Sequence, residues 1–478
     1  MTETRYDSPL GTRYASPAMQ QLWSASHRAG IWRRLWLALA RAQRDLGLAV
    51  PADAVAAIEA HLDDADLDEV RVHEQRLRHD VMAHVHHLGE QAPAARPWIH
   101  LGATSCFVTD NADLVVMRDA LGLLLGRLAN VLHPLTAFAL QHADRPTVAY
   151  THFQPAQLTT VGKRATLWLH DFALDAEALL DLHAWLPFRG CKGTTGTQAS
   201  FLELFDGDHD RVRALDERVT AAFGFARSLP VTGQTYTRKV DARVLDVLSG
   251  VAQTCAKFGN DLRLLQHEGE VLEPAEAGQV GSSAMPYKRN PMRAERLGAL
   301  ARYLISLQAN PAYTAATQWL ERTLDDSANR RIALPDAFLA ADALLLLAAN
   351  IGEGLEVRGA TIERHVTRAM PFMATERWLM LGVKAGGDRQ HLHETIRAHA
   401  WSVAEGLEQG RPNDLLDRLA ADAAFAAVGG KALRAEMDPV RYIGRAPEQV
   451  REFVAGTLAP LIERLAPHRI GDRAGVHV

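Results

Sequence analysis

The segment Phe338-Leu-Ala-Ala-Asp-Ala-Leu-Leu-Leu-Leu-Ala-Ala349 is apolar at every position except Asp342. Alanine and leucine favour the α-helix, and a helix that is apolar on all sides is stable in water only where other helices surround it. We therefore predict a helical bundle around residues 338–349. Burial on every side also suggests an oligomer, in which a second chain covers part of this helix.

Long helical patterns also precede this segment in the chain. Apolar residues recur at helical spacing along residues 158–186, and Asp110 or Asn111 is predicted to cap a helix that runs to about residue 144. Alanine and leucine dominate and runs of β-branched residues are scarce, so the predicted fold class is all-α. The predicted parts are an N-terminal helical domain (1–104), a central bundle of long helices (105–357) and a C-terminal helical domain (358–478).

Composition narrows the choice of partners and compartment. The chain has 478 residues and a net charge of -5, so no general basic field attracts nucleic acid or acidic lipid. Cys106, Cys191 and Cys255 lie too far apart in sequence to suggest a disulfide framework or a zinc knuckle. We find no apolar N-terminal leader, and no apolar stretch approaches the roughly 18 residues of a membrane span. We expect a soluble cytoplasmic protein with no nucleic-acid or membrane partner.

A histidine-rich helix is predicted over residues 75–89. His84 and His87 share one face of it, but no carboxylate or cysteine completes a convincing set of zinc ligands. We therefore predict no metal and no cofactor. The favoured interpretation is that Arg78-His79-Asp80 forms a polar corner that faces a ligand.

The loop Gly281-Ser-Ser-Ala-Met-Pro-Tyr-Lys-Arg-Asn290 combines hydroxyls, cations and an amide before a helix that is predicted to begin at Pro291. Such a loop could move a proton and hold negative charge, or it could be a plain surface loop. Two other turns are equally open when taken alone. Thr104-Ser105 suits either a carboxylate or an ordinary helix cap, and His152 is either a proton donor or a structural residue.

Taken together, these segments resemble a known group of enzymes. Thr104-Ser105, Thr151-His-Phe-Gln-Pro-Ala-Gln157 and the Gly281 to Asn290 loop are similar, in this order, to three blocks of the fumarase/aspartase superfamily. Within it, the chain resembles the adenylosuccinate lyase family of animals and yeasts from about residue 8 to about residue 460. The further matching segments are Ser8-Pro-Leu-Gly-Thr-Arg-Tyr14, Arg78-His-Asp-Val-Met-Ala-His84, Gly190-Cys-Lys-Gly-Thr-Thr-Gly-Thr-Gln-Ala-Ser200 and Arg322-Thr-Leu-Asp-Asp-Ser-Ala-Asn-Arg-Arg331.

The resemblance implies an architecture. Three mostly helical domains are expected, and the central helices of four subunits would pack into a twenty-helix core. Each active site of this homotetramer would take its blocks from three different chains. Residues 338–349 would then lie between subunits.

The resemblance also implies a reaction. A carbon–nitrogen lyase of this family eliminates fumarate from a purine nucleotide, giving AMP from adenylosuccinate and AICAR from SAICAR. Ser282 is implied as the base and His152 as the acid that protonates the leaving nitrogen. Lys288 and Asn290 would lie beside the carboxylate on which charge develops.

The remaining implied site residues bind substrate. Thr104, Ser105 and Gln234 would hold the succinyl carboxylates, and His79 and Asp80 would lie beside the purine or the phosphate. Arg78 would add positive charge for the anionic substrate. Contacts to the nucleotide are implied for Arg13, Tyr14, Arg322, Ser327 and Arg331, and Arg296 adds positive charge.

Two rival functions remain at this stage. One is another lyase of the superfamily, such as an argininosuccinate lyase or a carboxymuconate cycloisomerase, in which residues 322–331 would not contact phosphate. The other is a structural protein, because an inactive lyase scaffold can be recruited as a lens crystallin. The presence of Ser282, His152 and Lys288 argues against the structural role.

Overall fold

The computed structural model describes residues 6–276, 278–279 and 283–471. Most of these residues are helical, and their strands form two antiparallel two-stranded sheets, so the all-α prediction is confirmed. The N-terminal helices precede the first long helix. They are α1 (Pro17–Leu22), α2 (Ala25–Asp45), α3 (Ala52–Glu59), α4 (Leu67–Leu77) and α5 (Asp80–Gln91), with short helical turns at Leu10–Tyr14 and Pro93–Ala95.

Long helices dominate the middle of the chain. The elements are α6 (Ser105–Gln141), β1 (Pro146–Thr151), β2 (Gln154–Thr160), α7 (Val161–Trp185), α8 (Ala199–Leu204), α9 (His209–Ala222), α10 (Lys239–His267), β3 (Val271–Leu272), α11 (Met292–Leu307), α12 (Ala309–Thr317), α13 (Asp325–Glu353) and β4 (Glu356–Val357). Helices α6, α7, α10, α11 and α13 pack on one another and form the bundle.

Shorter helices complete the chain. They are α14 (Gly359–Met373), α15 (Thr375–Lys384), α16 (Arg389–Glu408), α17 (Leu415–Ala421), α18 (Gly430–Ala435), α19 (Ala446–Phe453) and α20 (Ala459–Leu465), with short turns at Ala423–Phe425, Pro439–Tyr442, Val454–Leu458 and Ala466–His468. A small separate core joins buried residues between Ala374 and Leu433, whereas α19 and α20 pack on the main core. The division into three domains, with boundaries after residues 104 and 357, stays a prediction.

Residues 338–349 lie in the second half of α13 and are largely buried within the single chain. Phe338, Leu344 and Leu345 have no exposed surface, because α6, α10 and α11 surround this helix. The expectation of a surrounding bundle is correct. Its own chain already buries most of this segment, so its apolar character does not require a second chain, and its place between subunits stays a prediction.

Two of the bundle helices, Ser105–Gln141 and Asp325–Glu353, are long and apolar enough to cross a membrane by length and composition. The expectation that no stretch approaches that length is therefore wrong. In their most apolar windows, 61% and 72% of the residues are buried inside the protein. Core helices of globular bundles also satisfy this criterion.

Helix α6 begins earlier than predicted. Its N-cap is Thr104, and Asp110 and Asn111 are buried inside the helix instead of capping it. The side chain of Asn111 accepts hydrogen bonds from the backbone N–H groups of Arg189 and Gly190, both at 3.0 Å. Its polar group therefore serves a tertiary contact, which sequence pattern alone does not distinguish from a cap. Helix α11 begins at Met292, one residue later than predicted, and Pro291 is its N-cap.

A β-hairpin, β1–β2, was not anticipated. The hairpin covers residues 146–160 and so includes the first residues of the helix predicted over 158–186. Helix α7 itself begins at Val161. His152 and Phe153 form its tip, with φ values of 53° and 56°. Two successive left-handed residues match the twist of a tight hairpin, although asparagine and glycine usually occupy these positions.

Gly162 lies in the first turn of α7, just after the hairpin, and packs closely against the end of α6. Its N–H donates to the carbonyl of His142 at 2.9 Å, and a Cβ at this position would contact the carbonyl oxygen of Ala139 and lie 2.7 Å from the backbone of Ala143. These contacts are backbone atoms, which cannot rotate away. The packing therefore requires glycine.

We predict that Gly162→Ala lowers the free energy of unfolding by about 1–3 kcal/mol, the usual cost of overpacking. Thermal unfolding of the purified variant measures this loss. Gly456→Ala is the matched control, because no heavy atom lies within 4 Å of its added Cβ, and it should unfold like the unchanged protein. Equal melting temperatures for Gly162→Ala and the unchanged protein would contradict the packing argument.

Candidate active site

A cleft of about 750 Å³ opens between α5, the N-terminus of α6, the segment before α10 and the start of α13. It contains a large part of the predicted substrate-binding set. The predicted residues that line it are Arg78, His79, Asp80, Ser105, Gln234, Arg322, Ser327 and Arg331.

One wall of the cleft is the break between α4 and α5. Arg78 ends α4 in a left-handed conformation with φ of 56°, so the helix predicted over residues 75–89 is two helices. Nδ1 of His79 accepts a hydrogen bond from the N–H of Met82 at 3.3 Å. In the neutral ring the proton is then on Nε2, which lies 3.5 Å from the Ser105 hydroxyl. Asp80 is paired with Arg331 at 2.9 Å.

A second wall is the N-terminus of α6. Thr104 is the N-cap, but its side chain makes no capping bond, and its hydroxyl accepts from Nε2 of Gln234 at 3.4 Å. The Oε1 of Gln234 lies 3.8 Å from the thiol sulfur of Cys106. Unpaired backbone N–H groups and the helix dipole favour an anion at such a terminus. Thr104, Ser105 and Gln234 therefore meet where a carboxylate would bind well.

The floor of the cleft is a buried chain of charges. Arg238 donates to Asp326 at 2.7 Å and to Asp110 at 3.1 Å, and Asp326 also accepts from Arg322 at 3.2 Å. Burial alone would raise the pKa of Asp110, but Arg238, Arg330 and Arg189 outweigh it and hold this pKa below its usual value. The carboxylate is therefore charged.

Arg330 extends the floor. It pairs with Asp241 at 2.7 Å and with Asp113 at 2.9 Å, and it donates to the Tyr236 hydroxyl. That hydroxyl donates to Asp241 at 2.6 Å. The sequence analysis did not identify this floor. The only signal in the sequence is the occurrence of charged residues in otherwise apolar helical stretches, and it does not reveal which residues pair.

The charges that line the cleft nearly cancel. The arginines are Arg28, Arg78, Arg238, Arg322, Arg330 and Arg331, and the acids are Glu74, Asp80, Asp110, Asp113 and Asp326. Asp326 and Asp80 directly offset Arg322 and Arg331. The cleft of one chain is thus less basic than the predicted set of cations suggested.

His152 lies elsewhere. It is exposed at the tip of the β1–β2 hairpin and does not line the cleft. Its neighbour Phe153 borders a second cavity of about 540 Å³, which also contacts His365 and Arg368 of α14. Within one chain, therefore, the predicted acid and the substrate-binding cleft are separate features.

The loop of residues 281–290, the signature loop, is described from residue 283 onward, and none of its described residues lines the cleft. Lys288 is exposed and Asn290 is half-buried, while Ser282 lies outside the described residues. Arg289 anchors the end of the loop by pairing with Glu356 at 2.9 Å. The loop is thus fixed at one end, with Lys288 directed to the surface of the chain.

Arg13, Tyr14 and Arg296 form a fourth location. The guanidinium of Arg296 lies 5.5 Å from the ring centre of Tyr14, and Arg13 is exposed next to it in the chain. The turn Leu10–Tyr14 packs on α13. The predicted site residues are therefore divided among the cleft, the hairpin tip, the signature loop and this contact.

The histidine-rich region offers one possible ligand group. His84 packs edge-on against Trp32, and burial lowers its pKa to about 4. Among the described residues, ligand atoms of His73, His87 and Glu90 lie within 4.8 Å of one another. Nε2 of His87, however, accepts from the N–H of Asp66 at 3.1 Å, so its proton is on Nδ1 and neither nitrogen is free for a metal. These contacts favour a hydrogen-bonded cluster over a metal centre.

Comparison with known proteins places the chain in a family. The family model described as "Lyase" matches residues 13–304, and the one described as "Adenylosuccinate lyase C-terminus" matches residues 371–453. Adenylosuccinate lyase of Saccharomyces cerevisiae is 50% identical over 94% of both chains. That of Schizosaccharomyces pombe is 46% identical over 97% of this chain and 98% of its own.

Solved structures share the fold. The 3-carboxy-cis,cis-muconate lactonizing enzyme of Pseudomonas putida has a TM-score of 0.81 and 26% identity, over 95% of this chain and 98% of its own. Its sequence is much less similar than those of the yeast enzymes. On the strength of the family models and the near full-length relatives, the chain belongs to the adenylosuccinate lyase family of the fumarase/aspartase superfamily.

Proposed function

We propose that this protein is a carbon–nitrogen lyase of purine nucleotide biosynthesis. It eliminates fumarate from adenylosuccinate to give AMP, and from SAICAR to give AICAR. The observation that carries the proposal is the 50% identity to the Saccharomyces cerevisiae adenylosuccinate lyase over 94% of both chains. The polar cleft at the N-terminus of α6 supports it, because such a site suits an anionic substrate.

The reaction needs stabilisation of negative charge. Removing a proton from the carbon next to a carboxylate makes a dianionic aci-carboxylate, so hydrogen-bond donors must already be in place. Ser105 and Gln234 line the cleft beside the first turn of α6, and Thr104 contacts Gln234. We assign these groups to the succinyl carboxylates. No metal or other cofactor is needed for this elimination.

The charge balance argues for sites shared between subunits. Adenylosuccinate carries two carboxylates and a phosphate, whereas the cleft of one chain has almost as many acids as arginines. Further cations must come from elsewhere, and Lys288 and Arg13 are exposed outside the cleft. We therefore propose a homotetramer in which other copies bring the hairpin tip and the signature loop to each cleft.

In this assembly His152 of one copy protonates the leaving nitrogen. A histidine suits this role because its pKa ordinarily lies near neutral pH. Ser282 is the proposed base, on the resemblance alone. Lys288 and Asn290 would stabilise the carboxylate on which charge builds up. We further propose a cytoplasmic location, which the three unpaired, buried cysteines support.

We predict that the purified protein converts adenylosuccinate to AMP and fumarate, which the absorbance change of the purine measures directly. Argininosuccinate and a carboxymuconate serve as the control substrates and should not be turned over. Turnover of a control substrate in place of adenylosuccinate would assign the chain to another lyase of the superfamily. No turnover of any of the three would favour a structural role.

We predict that His152→Gln reduces kcat by about 10²–10⁴-fold, the usual contribution of a general acid, with little change in substrate affinity. Steady-state kinetics and calorimetric binding of AMP measure the two effects. His393→Gln is the matched control, since His393 is exposed on α16 and should be dispensable. Undiminished turnover by His152→Gln would refute its role as the acid.

A further inference from the structure

Asp326 lies between two arginines at the floor of the cleft. Its side chain has no exposed surface, and Oδ2 accepts from Nε of Arg238 at 2.7 Å. Both carboxylate oxygens of Asp326 also accept hydrogen bonds from Nη1 of Arg322, at 3.2 and 3.3 Å. The buried carboxylate of Asp326 therefore bonds both to the buried Arg238 and to the partly exposed Arg322.

Arg238 fixes the orientation of Asp326 from the inside. Its guanidinium is buried, and Asp110 of α6 holds its other edge at 3.1 and 3.3 Å. A buried guanidinium that is held by two carboxylates has little freedom to turn. Asp326, in the first turn of α13, is thereby held in one position relative to α6.

Arg322 has no comparable support of its own. It precedes α13 in the connection from α12, and its side chain is about one quarter exposed. Among the described residues, the hydrogen bonds of its side chain are those to Asp326. An arginine without such an anchor loses more side-chain entropy when it binds a ligand. Holding it in advance removes part of that cost.

We propose that Asp326 is a positioning residue, which holds Arg322 in the orientation that binds an anionic group of the substrate. It acts through Arg322 and does not itself contact the substrate. The anionic group is a phosphate or a carboxylate, which a guanidinium binds in the same way. The proposal rests on the proposed function only for the identity of the substrate.

Asp326→Asn should release Arg322. The single amide oxygen can accept from Arg238, and the amide N–H₂ then faces the Arg322 guanidinium, which is also a donor. We predict that KM for adenylosuccinate rises about 10-fold, equivalent to about 1.4 kcal/mol, while kcat changes by less than about threefold. An unchanged KM would overturn the proposal.

A double mutant separates positioning from general damage. If Asp326 acts through Arg322, Arg322→Gln should raise KM, and adding Asp326→Asn to it should raise KM no further. Multiplication of the two effects would overturn the proposal. If Asp326→Asn does not fold, Arg238→Lys provides the test. Arg238→Lys keeps the buried positive charge but removes the Nε–H that donates to Asp326. It should raise KM about threefold in the protein that has Arg322, and it should leave KM unchanged in the Arg322→Gln background.

Asp342→Asn is the matched control. Asp342 is also a fully buried aspartate of α13 and pairs with the buried Arg127 at 3.1 Å, but it does not line the cleft. It should lower the melting temperature and leave KM unchanged. A rise in KM for this control would show that KM reports only on stability, and would also overturn the proposal.

Binding measurements identify the anion and do not depend on turnover. Calorimetry of AMP, which has the phosphate, and of fumarate, which has the carboxylates, compares Asp326→Asn with the unchanged protein. About 10-fold weaker binding of AMP alone assigns Arg322 to the phosphate, and weaker binding of fumarate alone assigns it to a carboxylate. The proposal would be overturned if Asp326→Asn bound AMP as tightly as the unchanged protein does and also bound fumarate as tightly. Failure of the unchanged protein to turn over adenylosuccinate would instead refute the proposed function.

Discussion

The cleft depends on one buried interaction, the placement of Arg238 between Asp110 and Asp326. It joins α6, the start of α10 and α13, each of which contributes residues to the cleft. Buried ion pairs add little net stability, because desolvation offsets their attraction, but breaking one leaves an uncompensated charge. We infer that this interaction fixes how the three helices meet, so the polar groups of the cleft are held in place before substrate arrives.

The same interaction leaves the cleft of one chain with nearly balanced charge. Its carboxylates neutralise most of the arginines that it orders, so a substrate with several negative charges needs cations from outside. His152 and Lys288 are exposed and are not among the residues that line the cleft of their own chain. A tetramer with shared sites, as we propose, resolves both observations. In such a tetramer, assembly would bring catalytic groups to each cleft. It would not be needed to cover residues 338–349 of α13, which are already largely buried within one chain.

The sequence predicted the fold class, and eight of the predicted substrate-binding residues line the cleft, but the sequence did not reveal what organises them. Alanine and leucine at helical spacing are a local signal, and short motifs identify the family, so both were accessible. The hairpin was missed because His152 and Phe153 occupy tight-turn positions with positive φ that asparagine and glycine usually occupy. Asp110 was mistaken for a cap because its partner Arg238 lies 128 positions away in the chain. Pairing over such distances depends on how helices pack, which no local pattern encodes.

The central claim is that the cleft of one copy uses His152 of another. It is tested most directly by co-expressing His152→Gln and Lys288→Ala chains that carry different affinity tags, and by assaying the doubly purified hybrids. Each variant alone should be nearly inactive, and the account predicts that the hybrids regain a measurable fraction of adenylosuccinate turnover, because some sites combine intact groups from different copies. Hybrids that form but remain as inactive as either parent would contradict it.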